Sequence, residues 1–229
     1  MFKDLVTDVF FDLDHTLWDF EKNSALTFKR ILTENKINVQ LDDFLEIYVP
    51  LNFAYWKLYR EEKVTKQELR YQRLKKTFDQ IGVTVEDVII NRLSDAYITH
   101  LSSFNHVFPN TKEILRYLSP NYKLHIITNG FQEIQDKKLK NANIYAYFDQ
   151  VVNAEQAGVK KPHPQIFELA LKRAKCAPKN ALMIGDNIEA DIRGAKAAGL
   201  HALHFNAHNE KPHEICPMIA SLSEIKNFL

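Results

Sequence analysis

The sequence predicts an α/β fold, a doubly wound parallel sheet whose chain is interrupted by an all-helical insert. Strand-like and helix-like segments alternate through the C-terminal half, which is typical of a parallel sheet covered on both faces. An apolar run over residues 5–11 predicts one more buried strand, and residues 21–102 show helical spacing only. We therefore assign residues 1–16 and 105–229 to an α/β core and residues 17–104 to a helical cap.

Four apolar-periodic segments predict four helices within the cap. Pro50 is expected to kink or split the second helix, because proline lacks the amide hydrogen that a helix interior needs. Thr65, followed three residues later by Glu68, is typical of a capping box at the start of the third helix. An insert directly after the first strand is expected to act as a lid, since open α/β sheets bind ligands beyond the carboxyl ends of their strands.

Four strands and four helices are predicted after the cap. The strands are expected at residues 123–128, 148–152, 181–185 and 201–206. The helices are expected at residues 111–118, 131–142, 164–174 and 189–199. Consecutive parallel strands should be joined by right-handed crossovers, which brings the loops after the strands to one edge of the sheet.

Composition excludes several classes of protein. The 229 residues are 45% hydrophobic with a formal net charge of +1, so no global field attracts polymeric nucleic acid or an anionic membrane. The two cysteines, Cys176 and Cys216, form no CxxC pair and are expected to be reduced thiols. No apolar run reaches membrane-spanning length, and acidic residues interrupt the N-terminal segment too early for a signal peptide, so we expect a cytoplasmic protein.

The first candidate motif, Asp12-Leu13-Asp14-His15-Thr16, leaves the end of the first predicted strand. The Asp12 carboxylate can act as a nucleophile that forms an acyl phosphate. The Asp14 carboxyl can protonate a leaving oxygen and then activate water. A polar strand end with a local turn is the alternative interpretation of this motif alone.

Two further motifs carry groups that suit phosphate. Thr128-Asn129-Gly130 follows a strand and offers a hydroxyl, backbone amides and the N-terminus of the next helix. A simple helix cap is the alternative there. Lys161 stands beside Pro162 and can supply a point charge near a carboxylate or phosphate, although an isolated basic turn would have the same sequence.

The fourth motif, residues 185–191, places Asp186 after a strand and Asp191 in the first turn of a helix. Helix capping explains one of these aspartates but not readily both. Magnesium prefers oxygen ligands, and its two charges together with that of Lys161 would balance the three carboxylates of Asp12, Asp186 and Asp191. Without cations those carboxylates would repel a phosphate dianion and become partly protonated.

These four motifs, in this order, resemble the haloacid dehalogenase (HAD) superfamily over essentially the whole chain. The resemblance implies a Rossmann-like core with a C1-type cap and a phosphatase that forms an aspartyl-phosphate intermediate. It implies that Asp12 is the nucleophile, that Asp14 is the general acid and base, and that Lys161 steadies nucleophile and phosphate. Thr128 and Asn129 are the implied phosphate-binding residues.

The same resemblance implies Mg²⁺ as cofactor. The implied ligands are Asp12, the main-chain carbonyl of Asp14, Asp186 and, directly or through water, Asp191. The segments FFDLDHTLWDF, IITNGFQEIQ and MIGDNIEADIRGAKAAGL are closer still to the pyrimidine 5′-nucleotidase branch, which hydrolyses nucleoside monophosphates. His15 stands where many HAD phosphatases have glycine and is interpreted as a loop variant. The expected partner is thus a small phosphate monoester, with the oligomeric state unspecified.

Several alternatives share this framework. A HAD phosphatase of sugar phosphates or other small metabolites would use the same motifs, as would a phosphomutase. Schiff-base chemistry on a cap amine such as Lys57 or Lys63, and a non-enzymatic binding module on the HAD scaffold, are further alternatives. A carbon–halogen hydrolase would need neither the acid Asp14 nor the acidic fourth motif.

The cap also contains a run of aromatic residues. Phe53, Trp56 and Tyr59 are expected to form one helix face packed into the cap core, in preference to a platform that stacks on a nucleobase. Trp18 and Phe20, just past the first motif, are placed to reach a ligand or to pack at the hinge.

Overall fold

The structure, a computed structural model, describes all 229 residues. They form two compact units, one comprising Met1–Phe20 and Asn105–Leu229 and the other Glu21–Phe104. The first unit is a parallel sheet with flanking helices and the second is helical throughout, so the predicted fold class is confirmed. None of the helices combines the length and apolar composition needed to cross a membrane.

The helical unit contains four helices, α1 (Phe20–Glu34), α2 (Leu41–Arg60), α3 (Lys66–Ile81) and α4 (Asp87–Leu101). Its core is aromatic: the Phe28 ring lies 4.8 Å from that of Phe44, 4.5 Å from that of Tyr48 and 4.7 Å from that of Tyr97. The predicted capping box is present at the start of α3, with both hydrogen bonds formed. α2 is continuous through Pro50, so the proline does not split the helix.

The prediction that Phe53, Trp56 and Tyr59 form one buried face of α2 is wrong. The residues that α2 buries include Tyr48, Asn52 and Tyr55, whereas Phe53 is 38% exposed. The buried Arg73 guanidinium donates to Asn52 Oδ1 at 2.8 Å and so holds this asparagine inside. Because each residue turns a helix by about 100°, burying Asn52 rotates its neighbour Phe53 toward the surface.

The sheet has six parallel strands in the order β3-β2-β1-β4-β5-β6. The strands are β1 (Asp8–Phe11), β2 (Lys123–Thr128), β3 (Phe148–Asn153), β4 (Ala181–Gly185), β5 (His201–Phe205) and β6 (Met218–Ile219). The apolar run of β1 is fully buried between β2 and β4, as expected for a strand covered on both faces. The two-residue β6 was not predicted, because so short a strand has no detectable periodicity.

The helices of the α/β unit are α5 (Thr111–Leu118), α6 (Gln132–Asn141), α7 (Ala154–Ala157), α8 (Pro164–Ala174) and α9 (Gly194–Ala197). The helix predicted at residues 189–199 differs from expectation, because its first part, Ile188–Arg193, is a π-helix and only Gly194–Ala197 is α-helical. A π turn holds more residues than an α turn and is frequent at functional sites. Here it carries Asp191.

A buried hydrogen bond between His125 and Asp8 lies at the amino end of the sheet. His125 Nε2 donates to Asp8 Oδ1 at 2.9 Å, while His125 Nδ1 is buried without a hydrogen-bond partner. Burial lowers the pKa of His125 below its ordinary value of 6.5, although the carboxylate of Asp8 opposes that shift. A proton added at Nδ1 would be a buried donor with no acceptor, which agrees with the lowered pKa.

We therefore expect the free energy of unfolding to fall as pH drops below about 6.5. In that range His125 becomes protonated in the unfolded chain but stays neutral in the folded protein. His125→Gln keeps a donor for Asp8 but does not titrate, so this variant should lose part of that pH dependence. Urea unfolding of both proteins between pH 7.5 and 5.5 measures the difference. Parallel stability curves over this range would contradict the assignment.

Candidate active site

Lys161 joins the first and fourth motifs at the carboxyl edge of the sheet. Its ammonium group lies 2.6 Å from Asp12 Oδ1 and 2.7 Å from Asp191 Oδ1, and it also donates to the carbonyl of Ile127 at 2.6 Å. Asp12 follows β1 directly, and its amide donates to the carbonyl of Ile184 at 2.9 Å, which extends the sheet by one bond. The lysine is 1% exposed, so both ion pairs lie away from bulk water.

Three carboxylates converge at this edge. One oxygen from each of Asp12, Asp186 and Asp191 lies within 4.8 Å of the others, and all three side chains are buried. Thr16 Oγ1 donates to Asp186 Oδ1 at 3.1 Å, which ties the end of the first motif to the fourth. Oxygen ligands at this spacing fit a hard divalent cation such as Mg²⁺.

Asp191 is the most constrained of the three. Its Oδ2 accepts a hydrogen bond of 3.0 Å from the amide of Asn187, and its Oδ1 pairs with Lys161. The approach is so close that a Cβ atom at Gly185 would lie 2.4 Å from Asp191 Oδ2. Only glycine at position 185 therefore leaves room for this carboxylate. With both oxygens engaged by the protein, Asp191 is suited to supporting a metal site.

The electrostatics of the three carboxylates differ. Burial raises the pKa of Asp12 well above its ordinary value, Lys161 opposes this, and the neighbouring carboxylates of Asp191 and Asp186 add to it. Burial also disfavours ionised Asp186, but the hydrogen bond from His208 Nε2, at 3.1 Å, is among the interactions that outweigh it and keep that pKa below its ordinary value. A bound divalent cation would lower all of these pKa values.

In the second motif, the Thr128 hydroxyl faces the site and the Asn129 side-chain amide has a structural role. Thr128 Oγ1 accepts hydrogen bonds from the amide of Gly130 at 3.1 Å and from Gln135 Nε2 at 2.7 Å. The Asn129 side chain pairs with the main chain of Lys161, accepting at 2.7 Å and donating at 3.0 Å. The Asn129 side chain thus holds the loop of Lys161, and the predicted contact of Asn129 with phosphate stays a prediction.

The acid/base candidate Asp14 is held by two residues that sequence reasoning missed. Lys138 Nζ donates to Asp14 Oδ1 at 2.6 Å, and Gln135 Nε2 donates to Asp14 Oδ2 at 3.2 Å. Both residues lie on α6, and each is 1% exposed. A signal existed in the sequence, since these two polar positions share the helix face of the apolar residues Ile134 and Leu139.

His15 and Trp18 complete the first loop. His15 has a φ of 65°, a region that glycine enters without steric cost, which agrees with its interpretation as a loop variant. Trp18 is fully buried, with the Lys138 ammonium 4.3 Å from its ring centroid. Trp18 is therefore a packing residue, which is one of the two roles predicted for it.

Comparison with known proteins identifies the class. The model of the haloacid dehalogenase-like hydrolases matches residues 9–199, and the chain belongs to this family of enzymes. Pyrimidine 5′-nucleotidase YjjG of Escherichia coli (strain K12) is 31% identical over 225 residues, which are 96% of this chain and 96% of YjjG. The predicted resemblance to the HAD superfamily and to its pyrimidine 5′-nucleotidase branch is thereby confirmed.

Other relatives have different names. The glyceraldehyde 3-phosphate phosphatase of Methanothermobacter thermautotrophicus is also 31% identical, over 96% of this chain and 98% of its own. The HAD-hydrolase YfnB of Bacillus subtilis, solved bound to magnesium, has a TM-score of 0.87 with 24% identity and covers 98% of both chains. The latter likeness shows that the fold is shared.

Proposed function

We propose that the protein is a magnesium-dependent phosphomonoesterase that works through an aspartyl-phosphate intermediate. The observation that carries this proposal is the cluster of Asp12, Asp186 and Asp191 around Lys161, with a second carboxylate, Asp14, held apart from it. One carboxylate is thus placed among charges that orient it for attack, and the other is available for proton transfer. A carbon–halogen hydrolase would not need Asp14 as an acid.

In the first half-reaction, an Asp12 oxygen attacks phosphorus and the bond to the leaving alcohol breaks. Asp14 donates a proton to that alcohol oxygen. The Thr128 hydroxyl and the amides that follow it hold the phosphoryl oxygens, and Lys161 stabilises their negative charge. In the second half-reaction, Asp14 removes a proton from water, which attacks phosphorus and releases inorganic phosphate and free Asp12.

The residues that would hold magnesium are Asp12, Asp186, the main-chain carbonyl of Asp14 and, directly or through water, Asp191. When bound, the ion would offset the charge that phosphate adds to a site already containing three carboxylates. The donor set is compatible with this role, because all of these ligands are oxygen atoms and Lys161 leaves the cluster with net negative charge.

Chelation is expected to abolish phosphatase activity and added Mg²⁺ to restore it. Asp186→Ala should eliminate turnover or raise the Mg²⁺ concentration needed for half-maximal activity, because it removes an oxygen ligand. Steady-state assays across a magnesium titration measure this, with Glu168→Ala on the exposed face of α8 as a control for loss of an acidic residue. Full turnover in excess chelator would refute the metal requirement.

We further propose nucleoside 5′-monophosphates as substrates, with pyrimidines preferred. The support is the match to pyrimidine 5′-nucleotidase YjjG over nearly the full length of both chains. A phosphatase of sugar phosphates is the second candidate, because the glyceraldehyde 3-phosphate phosphatase relative is equally identical. Polymeric nucleic acid is not expected to bind, since a net charge of +1 offers little attraction to its backbone.

The expected ranking is dUMP and dTMP above AMP and above glyceraldehyde 3-phosphate, measured as kcat/KM at one magnesium concentration. Binding of the leaving group must produce this difference, because the phosphoryl group is common to all substrates. A sugar phosphate preferred by about tenfold, equivalent to about 1.4 kcal/mol of transition-state stabilisation, would overturn the nucleotide assignment and leave the phosphatase chemistry intact.

A further inference from the structure

Two side chains of α6 contact residues of the first and second motifs in the active site. Gln135 and Lys138 are three positions apart, so they lie on the same face of the helix. Both are buried, and both donate hydrogen bonds to Asp14, one to each carboxylate oxygen. No other part of the proposed mechanism uses these residues.

We propose that Gln135 and Lys138 are positioning residues that hold the Asp14 carboxyl in place for proton transfer to the leaving group. This inference rests on the proposed phosphatase function, in which Asp14 is the general acid. It concerns where the carboxyl group is held, since proton transfer requires the donor within hydrogen-bond reach of the leaving oxygen.

The contacts of Gln135 allow one orientation of its amide. In the ionised form in which Asp14 acts as base, its carboxylate only accepts hydrogen bonds, so the nitrogen and not the oxygen of the amide must face it. The same nitrogen donates to Thr128 Oγ1, whose second lone pair is taken by the amide of Gly130. The hydroxyl hydrogen of Thr128 is therefore directed away from both, which makes Thr128 a donor for a phosphoryl oxygen.

The cost of this arrangement supports a functional role. The Oε1 atom of Gln135 is buried without a hydrogen-bond partner, which an apolar side chain would avoid. The Gln135 amide also lies so close to the backbone that a Cβ atom at Gly130 would be 2.1 Å from its nitrogen. Packing alone does not require either feature.

Two aromatic rings lie beside the Lys138 ammonium group. Its ammonium group lies 4.3 Å from the centroid of the Trp18 ring and 5.4 Å from that of Phe20. These contacts restrict the rotamers of the lysine and leave Asp14 as its charged partner at 2.6 Å. Buried ion pairs can often be replaced by apolar residues without loss of stability, so stability alone does not account for a lysine here.

The test compares two esters in each protein. p-Nitrophenyl phosphate has a leaving group that departs without a proton, whereas the alkyl phosphate hydrolysed fastest in the substrate panel needs one. The variants are Lys138→Met and Gln135→Leu, with Lys137→Met and Gln132→Leu on the exposed face of α6 as matched controls. The readout is the ratio of kcat/KM for the alkyl ester to that for the aryl ester, which is independent of the fraction of folded enzyme.

We expect Lys138→Met to lower kcat/KM for the alkyl ester roughly 10- to 100-fold and that for the aryl ester less than about threefold. Gln135→Leu should lower the ratio in the same direction, on top of a loss shared by both esters through Thr128. The two control variants should keep the wild-type ratio.

An unchanged ratio in both variants, whether activity falls equally for the two esters or not at all, would overturn the positioning role. Asp14→Asn serves as the reference, because it removes the acid itself. If Asp14→Asn lowers the ratio and the α6 variants do not, only the inference about Gln135 and Lys138 fails. If Asp14→Asn also leaves the ratio unchanged, the acid role in the proposed function fails, and the positioning role fails with it.

Discussion

Asp12→Asn is expected to reduce turnover by roughly four orders of magnitude or more while leaving the fold intact. An amide cannot form an acyl phosphate, yet it has the size of the carboxyl group and can still accept the hydrogen bond from Lys161. The substitution also removes one negative charge from a cluster in which each carboxylate disfavours ionisation of Asp12. The thermal midpoint of the variant should therefore equal or exceed that of the wild type.

Steady-state hydrolysis of a phosphate monoester and a thermal melt measure the two parts of this expectation. Acid-quenched wild-type protein should in addition contain a phosphorylated peptide that spans residue 12, and the variant should lack it. Asp4→Asn, an exposed aspartate on the same N-terminal segment, is the matched control and should retain full activity. Near-normal turnover in folded Asp12→Asn protein would rule out the covalent mechanism.

Lys161→Met is expected to damage both activity and stability. Removing the ammonium group leaves the buried carboxylates of Asp12 and Asp191 without their shared counter-ion, and breaking a buried pair in this way costs about 3–5 kcal/mol. Turnover should fall roughly 100-fold or more, because the charge next to the phosphoryl group is lost. The carbonyl of Ile127 also loses its donor.

The stability loss of Lys161→Met should depend on pH with a defined sign. Without the lysine, the pKa values of the two buried carboxyls rise further in the folded protein, so protonation at lower pH relieves their repulsion. Urea unfolding at pH 7 and pH 5 should therefore show a smaller deficit at pH 5. Lys172→Met, an exposed lysine on α8, is the control, and a pH-independent deficit would argue for a packing defect instead.

The part of the site that could be predicted from the sequence consists of residues that follow the ends of strands. Asp12, Thr128 and Asp186 each follow an apolar strand, and parallel strands end at one edge, so their proximity follows from the order of the elements. Lys161 lies in the loop before α8 and Asp191 lies in the π-helix after β4, and the same argument placed both near this edge. The roles assigned to these residues remain predictions that the substitutions above address.

Contacts made across elements could not be predicted in this way. The sequence predicted a helix at Gln135 and Lys138 but not their contact with Asp14, which is more than 100 positions away. The π turn that carries Asp191 was predicted as α-helix, because π turns are rare and occur mostly as single turns inside α-helices. The exposure of Phe53 likewise depends on Arg73, a residue of another helix.

The position of β1 in the sheet has a consequence for synthesis. β1 is the first strand of the chain but lies in the middle of the sheet, and its partners come much later: Asp8 meets His125 across 117 positions, and Thr16 meets Asp186 across 170. The contacts within the helical unit span fewer positions, 73 between Ser24 and Tyr97, and the whole unit is translated before β2. The apolar strand β1 remains without its sheet partners until β2 and β4 have been translated, and an unpaired apolar strand favours aggregation. Asp12, the proposed nucleophile, therefore has its site assembled only after Lys161, Asp186 and Asp191 have been translated.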